Sequence, residues 1–421
     1  MNNYKKEILS NKVPLITIPI KGAKATTALV IFKTGSKNET RETSGLSHFL
    51  EHMFFKGTKN RPNTLVLSSE MDSLGGEYNA FTSKEYTGYW FKVANNKLNK
   101  ALHILSDMLF NSLFDEQEIE REKGVIIEEL NMYQDNPRMH IEDVFEACLY
   151  GDTSAGWETI GTKENIRRFK RQDFLAYLEQ QYGSRSAYIV IAGAVKPVDK
   201  KLAGKLFSGF QKNNYQDKPL LVEKQTHPQL KIVPKKTDQL TLALGVRTVK
   251  IDHPDEFKLK LLAIILGGSM SSRLFINLRE RNGLAYYVRT SNEFYSDSGY
   301  LDTQAGVPRD KIEMAIKIIL EEYKKLTTEL IPEKELRRAK DILQGRVMLQ
   351  MEASDNLANW YAQQVMYRRT ILTPGELIKK IKKISAIDLQ KVARQIFINR
   401  HLNLAIIGNV NEKKIKDILH F

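Results

Sequence analysis

Residues 44–58 read SGLSHFLEHMFFKGT, and within them His48, Glu51 and His52 spell H-x-x-E-H. On a helix, residues four apart stand on one face about one turn from each other. Two imidazoles so placed can share a single metal ion, and Glu51 falls on nearly the same face. The spelling mirrors the commoner H-E-x-x-H zinc signature and belongs with the zinc-enzyme motifs. Leu46, Phe49, Leu50, Met53 and Phe54 supply an apolar face around it. A polar cluster set into a buried helix needs partners, and a metal is an efficient one. Hydrolysis by a metal-activated water, with Glu51 taking the proton, is the chemistry to which the pattern points. With eight histidines in 421 residues, accident supplies these letters in about one such chain in a hundred. A third ligand is therefore needed.

The search leads to residues 114–137, FDEQEIEREKGVIIEELNMYQDNP. Acidic residues fill the first turns and Asn136-Pro137 closes the segment, as helix-end rules require. Ile119, Ile126, Leu130 and Tyr133 recur at the spacing of one buried face. Glu122 and Glu129, seven apart, point the same way at the rim of that face, whereas Glu128 is turned away by about 100°. Helical phase thus prefers Glu129 as an inward carboxylate, with Glu122 about two turns behind it. Spacing alone is equally compatible with ordinary solvated glutamates.

HFLEHMFFKGT and EREKGVIIEEL are similar to the two zinc segments of the M16 metallopeptidases, the pitrilysin and mitochondrial-processing-peptidase family, also called inverzincins. The resemblance implies that His48, His52 and Glu129 bind one Zn2+ per chain, that Glu51 is the general base, and that Glu122 plays a supporting acidic part. It extends through residues 74–93, LGGEYNAFTSKEYTGYWFKV, similar to the family's edge strand that pairs with bound peptide. Asn79 and Ala80 stand where substrate backbone would be met. That stretch also has strand chemistry of its own: β-branched and aromatic residues between glycines. An exposed edge accepts an extended peptide through backbone hydrogen bonds whatever its side chains.

The chain repeats itself. Residues 114–132 resemble 331–349, residues 173–195 match 388–410 in pattern, and 25–35 pair with 239–249. Aligning EREKGVIIEEL with RRAKDILQGRV sets Ala339 opposite Glu122 and Arg346 opposite Glu129. Opposite the H-x-x-E-H motif stands only KLLAIILGG, without metal ligands. The boundaries that follow are a catalytic half, 1–215, a proline-bearing linker, 216–234, and a metal-free half, 235–421. Each half alternates short strands with amphipathic helices, giving an α+β domain with one mostly antiparallel sheet packed with helices. The resemblance implies the LuxS/MPP-like metallohydrolase fold. In the second half, Arg279 and Tyr286 are seven apart, a spacing that the family uses to contact substrate; a guanidinium and a phenol suit a peptide carbonyl and a developing oxyanion. GGSMSSR, residues 267–273, lacks the lysine of a phosphate loop and reads as a turn into a helix.

Composition narrows the class. There are 64 basic and 50 acidic residues, net charge +14, but the lysines are dispersed among glutamates and no groove-reading motif accompanies them, which argues against nucleic acid. The single cysteine, Cys148, rules out an intramolecular disulfide. No apolar run is long enough for a signal peptide or a membrane span. A bacterial cytoplasmic enzyme is the expectation, with a processed organelle protein also compatible. The sequence reading is a zinc metalloendopeptidase acting on extended or unfolded peptides. Its alternative is a non-catalytic or partner-dependent subunit of such a peptidase, and the resemblance implies pairing as a homodimer or with an inactive homologue. A lyase cleaving S-ribosylhomocysteine shares the motif letters, but it is a short single-domain chain and needs a reactive cysteine near the metal; Cys148 does not stand in a resembling segment.

Overall fold

In the computed structural model, which describes residues 4–421, the strands form two sheets. The first contains β1 (Lys5–Ile8), β2 (Pro14–Pro19), β3 (Ala25–Phe32), β4 (Glu77–Thr82), β5 (Thr87–Ala94) and β6 (Ala187–Gly193), in the order β1-β2-β6-β3-β5-β4. The second contains β7 (Gln229–Val233), β8 (Gln239–Arg247), β9 (Val288–Phe294), β10 (Gly299–Pro308) and β11 (Leu402–Ile407), in the order β7-β11-β8-β10-β9. Apart from β1, the order and polarity are the same: one parallel pair, β2 with β6 and β7 with β11, and otherwise antiparallel neighbours. The repeat seen in the letters is thus a repeat of topology, and the fold is the α+β arrangement expected.

The strand sequences explain their places. β3, ATTALVIF, is buried along nearly its whole length, and β8, QLTLALGVR, is buried after its first residue. Such continuous apolar runs belong to strands covered on both faces. β4, EYNAFT, carries mixed exposure and pairs only with β5, so it forms an edge.

Each sheet closes its core with a helix from the other half of the sequence. One compact unit comprises residues 1–131, 157–219 and 349–373; the other comprises 132–156, 220–348 and 374–421. In the first, the helix Ser354–Tyr367 lays Leu357, Ala358, Tyr361 and Ala362 on Ile16, Ile18, Leu29, Ile31, Val190 and Ala192. Thr27 and Ser354 share a buried hydroxyl hydrogen bond of 2.8 Å there. In the second, the helix Pro137–Tyr150 packs Ile141, Val144, Phe145 and Leu149 against Ala243, Tyr300, Ala405 and Ile407. Asn136 caps that helix by accepting from the Arg138 amide, and Pro137 sits at its first position, where a missing N–H costs nothing.

The continuous boundaries at 1–215 and 235–421 therefore differ from the units by two exchanged segments. An amphipathic helix announces that it has a buried face but not which sheet will bury it. The segment read as a linker also holds a strand: β7, QLKIV, adds in parallel to β11. Among the described residues, no helix is long and apolar enough to cross a membrane.

Candidate metal centre

The motif occupies the helix Leu46–Met53, and eight residues alone make a marginal helix. Packing holds it. Leu46, Phe49, Leu50 and Met53 are buried, with Phe49 set edge-on against Phe174 at 4.9 Å between ring centres. Its first turn is tied by Glu39, whose two carboxylate oxygens accept from the amides of Gly45 (2.8 Å) and Ser47 (2.7 Å). A helix N-terminus leaves such amides without intrahelical partners and favours negative charge. Burial nevertheless pushes the Glu39 carboxyl up to about 7, against the lowering effect of those hydrogen bonds. Gly45 turns at φ +96°, and a Cβ there would lie 2.6 Å from the Ile160 carbonyl oxygen, so the chain enters this helix through a gap that only glycine fits.

The long helix Glu116–Asp135 supplies the carboxylates, with Asp115 capping it by accepting from the amides of Gln117 and Glu118. Glu129 Oε2 lies 3.7 Å from His48 Nε2 and 3.5 Å from His52 Nε2. One ligand atom from each of the three residues falls within 4.8 Å of the others. Ligand atoms around a tetrahedral zinc with bonds of about 2.1 Å stand roughly 3.4 Å apart, so the two measured separations suit that ion. Burial, and then the neighbouring His52, hold the His48 imidazole down to about 3, so it is neutral at physiological pH, the form that ligates a metal. Burial raises the Glu129 carboxyl, with His52 opposing it. The donor set, its spacing and the neutral His48 imidazole therefore fit a zinc ion.

Two carboxylates flank this trio. Glu122 Oε1 pairs with His52 Nδ1 at 2.8 Å, and its Oε2 meets the Lys56 ammonium at 2.5 Å. Burial pushes this carboxyl up, but His52 and Lys56 together win and leave it below its ordinary value. Hydrogen bonding on the far nitrogen of a ligating histidine fixes its tautomer and ring orientation. Glu51 is raised by burial, partly offset by the Thr82 hydroxyl, which donates to its Oε2 at 2.5 Å. Thr82 is the last residue of β4, so edge strand and motif helix meet at this bond. On the outer edge, Asn79 Oδ1 accepts from the Ala80 amide at 2.8 Å.

In the second unit Arg346, the counterpart of Glu129, donates to the Gly268 carbonyl, and Ala339, the counterpart of Glu122, is buried. The metal-capable trio is the only one among the described residues. Arg279 lies on the wide-turned helix Phe275–Arg281, 5.0 Å from the Phe275 ring and 5.5 Å from the Tyr286 ring. Tyr286 is 74% exposed. Lys56, Thr82 and Glu39 carry contacts that the motif reading passed over. Lys56 follows His52 by four residues, one turn on, and Thr82 alternates with Ala80 on one face of β4; these two had a signal in the spacing. Glu39 had none.

Residues 16–163 match the family model described as Insulinase (Peptidase family M16), and residues 168–343 match the one described as Peptidase M16 inactive domain. A relative named as an uncharacterized zinc protease, YmxG of Bacillus subtilis (strain 168), is 35% identical over 376 residues, covering 89% of this chain and 91% of its own. The chain belongs to peptidase family M16. Another relative, named as an uncharacterized zinc protease, of Rickettsia felis (strain ATCC VR-1525 / URRWXCal2), is 34% identical across 96% of this chain and 98% of its own. The crystal structure of a protease from Helicobacter pylori superposes with a TM-score of 0.91 at 23% identity, covering 97% of this chain and all of that one. At that identity the likeness is one of fold. The boundary between active and inactive family segments, near residue 165, agrees with the metal-capable trio lying on the first side only.

Proposed function

We propose that this M16 chain is a zinc-dependent endopeptidase that hydrolyses extended or unfolded peptides. The observation that carries the reading is the convergence of His48, His52 and Glu129 beside the Glu51 carboxylate, at the end of an unpaired strand edge. His48, His52 and Glu129 would hold one zinc ion per chain. Such an ion, when bound, supplies Lewis-acid chemistry that acidifies water and polarises a carbonyl.

The chain's own groups do the rest. Glu122 holds the His52 ring through Nδ1, so that Nε2 faces inward. Glu51, engaged at Oε2 by Thr82, offers Oε1 to take the proton from the attacking water and pass it to the leaving amine. Its raised carboxyl pKa suits a group that must both accept and return a proton. Peptide backbone adds to the free edge of β4, where the Ala80 amide exchanges its bond with the Asn79 side chain for one with substrate. Arg279 and Tyr286, which lie against each other and are exposed, are assigned to substrate contact on the family resemblance.

The test is cleavage of an unstructured peptide mixture by the purified chain, with a zinc chelator in parallel. Chelator-sensitive cleavage is expected; Glu51→Gln should abolish it with zinc still bound, and His52→Ala should lose both. Cleavage retained in Glu51→Gln refutes the assignment of the base. A zinc-loaded wild type that cleaves nothing rejects self-sufficient activity and favours the partner-dependent subunit.

A further inference from the structure

We propose that Thr82 is a positioning residue for Glu51, fixing the carboxylate of the base through the same strand that receives substrate backbone; this rests on Glu51 acting as the base. A carboxylate can only accept, so the 2.5 Å contact at Glu51 Oε2 is donated by the threonine hydroxyl. Hydrogen bonds to charged groups are the stronger kind. Ala80 and Thr82 lie on one face of β4, and Phe81 on the opposite face packs among the residues covered by Ser354–Tyr367.

The end of β4 is itself held rigidly. The Ser83 amide and hydroxyl both bond the Tyr86 carbonyl, at 2.9 and 3.1 Å, closing the turn into β5. The Ser36 and Lys37 amides donate to the Ser83 and Lys84 carbonyls at 3.1 and 2.8 Å. Beneath the turn the Lys37 ammonium meets Glu85 Oε1 at 2.9 Å with both side chains buried, and the Tyr367 hydroxyl donates to the Glu85 carbonyl at 2.9 Å. Thr82 thus projects from a backbone that cannot easily yield, toward a base on a separate helix. Peptide docked on β4 and base held by β4 share one frame, so the distance between scissile carbonyl and carboxylate is set within one strand. Pre-alignment of this kind is what productive geometry needs.

The experiment compares wild type, Thr82→Val, which keeps the β-branched shape without the hydroxyl, and Thr82→Ser, which restores it. Cleavage kinetics on an unstructured peptide, zinc content and a crystal structure of the valine variant are measured. Thr82→Val should lower kcat about tenfold or more, with KM within about twofold and zinc unchanged, and Thr82→Ser should return kcat to within about threefold. In the valine variant the Glu51 carboxylate should leave its place beside residue 82. An unchanged kcat, a loss explained by KM or zinc, or a Glu51 that stays in place overturns the proposal. If wild type itself cleaves nothing, self-sufficient activity fails rather than this contact, and the crystal structure of the valine variant still decides whether Thr82 holds Glu51.

Discussion

Removing the Glu122 carboxylate should weaken zinc binding without touching a ligand, and the size of the loss follows from its two contacts. Its Oε1 accepts from His52 Nδ1 at 2.8 Å while Oε2 meets Lys56 at 2.5 Å. A hydrogen bond to a charged group contributes about 1.5–3 kcal/mol and a neutral one about 0.5–1.5 kcal/mol. Glu122→Gln keeps an acceptor and loses the charge, a difference of about 1–1.5 kcal/mol, or roughly five- to tenfold in zinc Kd. Glu122→Ala leaves the imidazole N–H without its acceptor and should cost about tenfold to a hundredfold, the usual range for partners of metal-bound histidines. Glu128→Gln, on an exposed position of the same helix, is the control and should change nothing. Competition for zinc against a chromogenic chelator at fixed pH reads all three. Zinc affinity in Glu122→Ala within about twofold of wild type, or an equal loss in Glu128→Gln, refutes the reasoning.

Gly45→Ala should destabilise the protein by at least about 2 kcal/mol, because it adds a methyl 2.6 Å from the Ile160 carbonyl oxygen to the strain of φ +96°. Gly75→Ala, at φ +62° with nothing within 4 Å, carries strain alone and should cost about 1 kcal/mol; equal losses in denaturant titration would mean that the close approach is unimportant. Asp302 in β10 has its carboxyl pushed up to about 7 by burial, with Glu142 adding to the shift. Folding thus favours its protonated form, so the contribution is whole below the ordinary value of 3.8 and is lost as pH rises through about 7. Ionising the carboxyl costs about 4 kcal/mol by pH 8. Asp302→Asn should therefore be more stable than wild type at pH 8 and lose that advantage near pH 4; a difference constant across this range contradicts the assignment.

What could be read from the letters was whatever physics makes local. His48 and His52 are one turn apart, so their shared face is a property of any helix, and Glu129 was separable from Glu128 by phase alone. The strand at β4 was legible because Asn79 and Ala80 sit in strand-forming sequence between glycines; that it forms an edge was implied by the family resemblance, not by those residues. β7 was not, because QLKIV is short, half-exposed and flanked by Pro228 and Pro234, and its partner β11 lies more than 160 residues further on. The Glu39 cap escaped for a related reason: a carboxylate six and eight residues ahead of the amides that it satisfies follows no helical or strand period. Thr82 could be assigned to a face but not to Glu51, since the angle at which helix meets strand is a matter of packing.

The crossed helices also bear on how the chain is made. The apolar face formed by Ile16, Ile18, Leu29, Ile31, Val190 and Ala192 is complete once residue 192 has been synthesised, yet its cover, Ser354–Tyr367, arrives some 160 residues later. At a synthesis rate of about 5–20 residues per second, that sheet waits roughly 10–30 s with a hydrophobic surface uncovered. The helix Pro137–Tyr150 emerges early and waits in turn for β8 and β11. Neither core can be finished on the growing chain before most of the protein exists, so the two units close late and nearly together rather than as two domains folding one after the other.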